Sequence, residues 1–330
     1  MITAAVAVVR RAVREALADL TTVDGVLVAC SGGADSLALA AALAHSAIRD
    51  GLRAGAVTVD HGLQAGSADR ARAVAADLVR LGLDPVEVVH IRVTDHQQGP
   101  EGNARRVRYA ALDAAARRHT AAAVLLGHTL DDQAESVLLG LARGSGARSL
   151  AGMAAVAGQY RRPLLAVTRE TVRAAVPPGF TPWEDPQNSQ MALARVRARH
   201  RVLPVMETEL GPGISAALAR TADLLRADAD ALDALAARAI AESMIEGGSP
   251  GRQPQQLDVG LLATYPQAVR RRVLRRAAIA GGSPPTDLTF AHVDAMDSLI
   301  IRWRGQVGVD LPGKLRATRA ADVIRIAPMD

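Results

Sequence analysis

The sequence predicts an α/β protein in which a parallel-sheet domain is followed by a smaller, mainly helical domain. Two observations carry this. Four short runs rich in branched aliphatic residues each precede a helical stretch, the βα alternation of a parallel sheet covered on both faces. Past a glycine- and proline-punctuated region, a boundary near Pro212 gives way to long helical spacing, which places the domains at 1–211 and 212–330.

In order, residues 1–20 read as an amphipathic surface helix, with Arg10, Arg11, Arg14, Glu15 and Asp19 set among alanines and valines. Strands are expected at 25–29, 54–60, 86–93 and 122–127, and helices at 35–50, 67–81, 101–119 and 130–143. Residues 214–245 carry Leu218, Leu225, Leu232 and Leu235 at helical spacing, with aspartates between. The tail alternates at Val307, Val309 and Leu311, turns at Pro312-Gly313 and resumes at Val323, Ile324 and Ile326, a small terminal β element.

Composition narrows the chemistry. Cys30 is the only cysteine, which excludes an intramolecular disulfide, a multi-cysteine zinc site and a cysteine-held iron–sulfur cluster, and fits a reducing compartment. The net charge of +5 permits an acidic partner such as nucleic acid without demonstrating one. Lys314 is the only lysine, which removes a Walker lysine and a kinase-type strand lysine. No apolar run approaches the ~20 residues that cross a bilayer, so a cytoplasmic protein without membrane association is expected.

Ligands of open parallel sheets bind beyond the carboxyl ends of the strands, where the unusual residues lie. Ser31-Gly32-Gly33-Ala34-Asp35-Ser36 stands between a strand and a helix; its glycines let the backbone approach an anion, and helix-end N–H groups face it. Asp35 would repel phosphate unless Mg²⁺ sat between them. The same hexapeptide would also serve an ordinary βα turn with Asp35 capping the helix. Asp131, Asp132 and Glu135 crowd one helical turn, either for function or as first-turn acids behind an N-cap at Thr129. Because they are first-turn acids, loss of Asp132 or Glu135 is expected to impair function at little cost in stability. His61 and His128 sit at strand ends, as structural residues or ligands.

Ser31 to Ser36 resembles the SGGxDS signature of the PP-loop ATP pyrophosphatases, which implies a PP-loop nucleotide-binding domain that cleaves ATP to AMP and pyrophosphate. Gly127-His128-Thr129-Leu130-Asp131-Asp132-Gln133-Ala134-Glu135-Ser136 is similar to the second motif of the tRNA(Ile)-lysidine synthetases within that group. The likeness extends to Val59-Asp60-His61-Gly62-Leu63, to Glu101, Ala104, Arg105, Arg108 and Tyr109, and to Arg143-Gly144-Ser145-Gly146 through Met153. It continues through Arg162-Pro163-Leu164-Leu165, Glu184-Asp185-Pro186, Asn188 and the run from Arg195 to Pro204. Val196 stands where an asparagine is common, Ser149 for a glycine, Ser136 for a threonine and Thr129 for a second histidine, and the tail is shorter than in members with a further domain.

That family joins L-lysine to C2 of the wobble cytidine in a CAU-anticodon isoleucine tRNA through an adenylated intermediate, changing codon reading from AUG to AUA. The resemblance implies ATP and Mg²⁺, with Ser31, Gly32, Gly33, Ala34, Asp35, Ser36, Asp60, His61 and Arg105 around the nucleotide. It implies Asp35, Arg108, Asp132 and Glu135 as catalytic residues, and Asp35 with Asp132 at the metal. The division of roles among Asp131, Asp132 and Glu135 stays open, as does oligomeric state, a homodimer included. An RNA thiolase of the same loop type would need paired thiols, an amide-forming relative a glutaminase nucleophile, and a non-catalytic RNA-binding relative would tolerate loss of the acids.

For tRNA, Arg270, Arg271, Arg272, Arg275 and Arg276 are expected to form an exposed basic stripe on one helix, with a solvated face as the bland alternative. Arg195, Arg197, Arg199 and Arg201 form a second cluster, whose alternation at spacing two is not one helical face.

Overall fold

The computed structural model describes residues 2–62, 64, 66–91, 99–144, 146–245 and 254–329. Leu63, Val93 and Ser145 of the expected motifs and strands, and the Glu101 side chain, lie outside what is described. The chain forms two compact units, Met1–Arg226 and Ala227–Asp330.

The first unit runs α1 (Ala4–Ala16), β1 (Gly25–Ala29), α2 (Ala34–Asp50), β2 (Arg53–Asp60), α3 (Ser67–Arg80), β3 (Val86–His90), α4 (Gly99–Arg118), β4 (Ala121–Leu126) and α5 (Leu130–Ala142). Then come α6 (Ala147–Leu150), β5 (Val156–Ala157), β6 (Tyr160–Arg161), α7 (Arg169–Ala174), α8 (Ala194–Arg197) and α9 (Leu203–Glu209). The six strands lie in the order β3-β2-β1-β4-β6-β5. All neighbours are parallel except β5 with β6. The first four strands and their helices fall where the sequence puts them. β5 and β6 are additional, each two residues long.

Period-2 alternation divides the core between the two faces of the sheet. Val26 and Val28 of β1 face α1 and α2, packing with Val9, Val13, Leu37 and Leu43. Leu27 and Ala29 turn the other way, against Leu112, Ala115 and Ala116 of α4. The expected N-terminal helix thus has a buried stripe of Val9 and Val13, which fixes it against the sheet layer.

The long helix α10 (Ile214–Ser243) carries the division between units. The second unit continues with β7 (Gln255–Asp258), α11 (Val259–Thr264), α12 (Gln267–Ala280), α13 (Phe290–Ile301), β8 (Val309–Leu311), β9 (Leu315–Ala320) and β10 (Val323–Pro328). Its antiparallel sheet, ordered β7-β10-β9-β8, is larger than the expected terminal element because β9 lies between the two expected strands and β7 pairs with β10. Val307, read as the start of the tail strand, precedes β8 and is exposed. Lys314 takes φ +58 in the β8–β9 turn.

Candidate functional site

Three strand ends build the site, β2 contributing Asp60 and the His61 that follows it. β1 delivers the loop from Ser31 to Ser36 and β4 delivers residues 127–132, and these strands are neighbours where the strand order reverses, the usual ligand crevice of open α/β sheets. Gly127 records how closely they meet: a Cβ there would stand 3.3 Å from backbone atoms of Asp35 and Ser36.

In the loop, Gly32 has φ +84, and a Cβ on it would come within 2.5 Å of the Val74 side chain, so both conformation and space demand glycine. Gly33 is the N-cap of α2 and no side chain caps it, which leaves first-turn N–H groups for an anion. Asp35 stands inside the first turn, so the capping alternative does not hold. The Ser36 side chain is engaged within the loop. Its hydroxyl donates to the Gly33 carbonyl (2.9 Å) and accepts from the Ser31 N–H (3.2 Å), tying the loop together, while Ser31 is exposed.

A cavity of about 410 Å³ opens over the loop, lined by Ser31, Gly33, Asp60, His61, Arg105, Arg108, Tyr109, His128 and Trp183 among others. Burial pushes the Asp60 carboxyl up, but the Gly62 N–H (2.9 Å), the Ser67 hydroxyl and His90 (3.0 Å) hold it below its ordinary value. His61 and His128 each bury a ring Nδ1 without a partner. Burial, with Arg108 nearby, lowers the His61 pKa. Burial, reinforced by Arg162, Arg108 and Arg195 against the opposing pull of Asp132, drives His128 down to about 3. Burial also lowers the Arg108 pKa, and among the described residues this guanidinium has no carboxylate partner. Arg105 is instead exposed, its guanidinium 5.0 Å from the centre of the Tyr109 ring.

Beside the cavity lies an acid–arginine cluster. Thr129 and Asp132 form a capping box at the start of α5, using one Asp132 oxygen. The other Asp132 oxygen faces Arg169 (3.0 Å), Arg199 (3.2 Å) and Arg195 (3.5 Å). Glu135, fully buried, is bound by Arg199 (2.7 Å), Arg195 (2.8 Å) and Arg169 (3.2 Å). Asp131 accepts the Arg169 backbone N–H (2.7 Å), and Arg169 Nε stands 3.9 Å from Asp35. Burial opposes the charge on Asp132, yet Arg169 and Arg195 hold its pKa below the ordinary value. Asp35 goes the other way. Burial raises its pKa to about 6 against the pull of Arg169.

Asp132 and Glu135 are therefore internal anchors, and the expectation that their loss costs little stability does not fit these contacts. Removing either leaves three partly buried guanidinium groups short of one counter-charge. The expected role of Asp35 toward Mg²⁺ fits the donor set, because its Oδ1 is a buried oxygen with no hydrogen-bond partner. Asp132 fits less well, both its oxygens being engaged.

Arg195 and Arg199 correct the reading of their segment. They lie four apart across α8 and a π-helical turn at Ala198–Val202, and share one inward face, whereas Arg197 and Arg201 are exposed. Arg169 was not singled out by sequence. A signal existed: it opens α7 immediately after the N-cap Thr168, where a cation opposes the helix dipole and calls for nearby acids.

In the second unit, the five arginines of α12 do not form an open stripe. Arg270 is buried and paired with Asp297, Arg271 with Asp294 and Asp297, and Arg272 with Asp233 (3.1 Å). Arg275 donates to the carbonyls of Leu288 and Pro285. Helical spacing sets these side chains side by side, but aspartates on α10 and α13 take up three of the charges.

Residues 6–206 match the PP-loop domain family, and residues 257–323 match the TilS substrate binding domain. The tRNA(Ile)-lysidine synthase of Thermobifida fusca is 59% identical over 95% of this chain and 95% of its own length. That of Streptomyces coelicolor is 56% identical over 91% of this chain and 84% of its own. Among solved structures, the U34-tRNA thiolase NcsA from Methanococcus maripaludis with its [4Fe-4S] cluster superposes with a TM-score of 0.55. It covers 66% of this chain and 78% of that one at 18% identity, a likeness of fold. With a PP-loop domain over the cavity-bearing unit and such identity along nearly the whole length, the chain belongs to the tRNA(Ile)-lysidine synthase family of ATP-dependent ligases.

Proposed function

We propose that this chain joins the ε-amine of L-lysine to C2 of the wobble cytidine in a CAU-anticodon isoleucine tRNA, converting ATP to AMP and pyrophosphate. The observation that carries this reading is the charge pattern at the β1–β4 crevice. A loop shaped for phosphate abuts a cluster in which four carboxylates, Asp35, Asp131, Asp132 and Glu135, contact three guanidinium groups. Asp131, which accepts one backbone N–H and stands 3.8 Å from a single guanidinium, is the least neutralised acid of the cluster and suits a cationic substrate beside the nucleotide.

Cytosine C2 is a poor electrophile. Attack of its O2 on the α-phosphate forms an O–P bond and expels pyrophosphate, which makes C2 attackable and AMP the next leaving group. Loop N–H groups and Arg108 face the charge that develops on the phosphates. Mg²⁺, when bound, would neutralise phosphate oxygens, and Asp35 is the residue assigned to hold it. The lysine amine, protonated near neutrality, costs roughly 4.6 kcal/mol to free at pH 7. The cluster around Asp131 and Asp132 binds the ammonium and draws off its proton as the C2–N bond forms and the C2–O bond to AMP breaks. Asp132 and Glu135 also position Arg169, Arg195 and Arg199.

A thiolase reading has no comparable support, since Cys30 is the only cysteine and burial raises its thiol pKa. Incubation with ATP, Mg²⁺, labelled lysine and the isoleucine tRNA tests the proposal. Label in a single modified cytidine, with AMP and pyrophosphate, is expected; ADP as main product or unlabelled RNA would overturn it.

A further inference from the structure

In the lining of the cavity two arginines are each held over an aromatic ring. The Arg70 guanidinium stands 3.8 Å from the Trp183 ring centre and that of Arg105 5.0 Å from Tyr109, and all four residues line the same cavity. Arginines also stand over Phe180, Phe290 and Trp303, but none of those three rings is among the residues that line this cavity. The Trp183 platform is anchored to the phosphate loop: its backbone N–H donates to the Gly32 carbonyl at 2.9 Å. Arg70 donates to Gln64 (3.2 Å), which in turn donates to Asp185 (3.2 Å).

Among the described residues neither Arg70 nor Arg105 makes an ion pair with a carboxylate. The acids of the lining are otherwise engaged, Asp185 by Gln64 and Asp60 by Gly62 and His90. A guanidinium stacked on a ring keeps its N–H edge free for phosphate oxygens while its face is fixed. Arg108 is less exposed than Arg105 in the same lining, and α3 and α4 each bring one of the two stacked arginines to it.

We infer that Arg70 and Arg105 bind backbone phosphates of the RNA strand whose base enters the cavity, an inference that rests on the ligase reading. The probe is a short RNA stem-loop with the CAU anticodon, titrated over a range of salt against wild type, Arg70→Gln, Arg105→Gln and the double variant. ATP affinity of each is measured by calorimetry and folding by thermal melting. Each single variant is expected to bind RNA several-fold more weakly, with the salt slope reduced by about 0.7 per lost phosphate contact on a single strand, and Arg70→Gln is expected to keep the ATP affinity of the wild type. Arg70→Lys should keep the slope and recover part of the affinity. RNA affinity and slope unchanged in the double variant, or a loss confined to ATP, overturns the inference. A wild type that binds the stem-loop through these arginines yet transfers no lysine would sink the ligase reading and leave this one standing. Lysine transfer with an unaffected double variant does the reverse.

Discussion

Arg199 Nε donates to Glu135 Oε1 at 2.7 Å, joining residues sixty-four apart in the chain at a point where the carboxylate is wholly buried. With Arg169 and Arg195 on the same side chain, the helix after β4 is clasped by two later segments, and the cluster is at once a site and a seam.

Glu135→Gln should therefore destabilise the protein by about 3 kcal/mol or more, the scale seen when one partner of a buried ion pair is removed. Urea unfolding read from helix content checks this. An unchanged midpoint would mean that the three guanidinium groups find other partners.

Asp35→Asn should behave differently. Asp35 neither caps its helix nor anchors a neighbour at hydrogen-bond distance, so the fold should be kept while pyrophosphate release falls on the order of 10²-fold or more. Near-normal release from the folded variant would remove Asp35 from the chemistry.

Gly32→Ala should cost about 1–3 kcal/mol, because a left-handed backbone and a 2.5 Å approach to Val74 both oppose a methyl group. Thermal melting with and without ATP reads it. The stabilisation that ATP confers on the wild type should be largely absent from the variant.

Acid should weaken the fold through His128. Its pKa is about 3 when folded, against about 6.5 in an unfolded chain, so the unfolded state takes up the proton first as pH falls. The contribution is fully present above pH ~6.5 and drains away between there and about pH 3. Stability of His128→Asn, followed by chemical unfolding at several pH values, should fall less steeply over that window than wild type. Parallel curves would place the acid sensitivity elsewhere.

Arg271→Glu with Arg275→Glu should lower the melting temperature, since Arg271 pairs with Asp294 and Asp297 and Arg275 ties down two carbonyls. Weaker tRNA binding without any loss of stability would restore the open stripe.

The legible parts of this molecule are those whose signal is local. β1 and β4 are runs of aliphatic residues, and the glycines of the phosphate loop stand in a fixed order between a strand and a helix. What escaped depends on distant partners. Tyr160-Arg161 becomes a strand only because β4 offers it an edge, and Gln255–Asp258 only because β10 does. The α12 arginines show the same limit from the other side. Spacing aligns them, but Asp233, Asp294 and Asp297, between 23 and 39 residues away, decide that their charge is spent within the fold. Arg169 likewise gains its meaning only when the β4 end is brought beside the β1 end.

Lys314, set in the β8–β9 turn, is the only lysine of the chain, so the unit that holds the cavity has none. On the ligase reading this has a bearing on fidelity. An adenylated cytidine is an electrophile waiting for an amine, and a protein amine within reach would be captured in place of the substrate, cross-linking enzyme to RNA. Arginine supplies positive charge without that hazard, because a guanidinium stays protonated and is a poor nucleophile. The cavity-bearing unit is thus built so that the one side-chain amine able to finish the reaction there is the amino acid that arrives from solution.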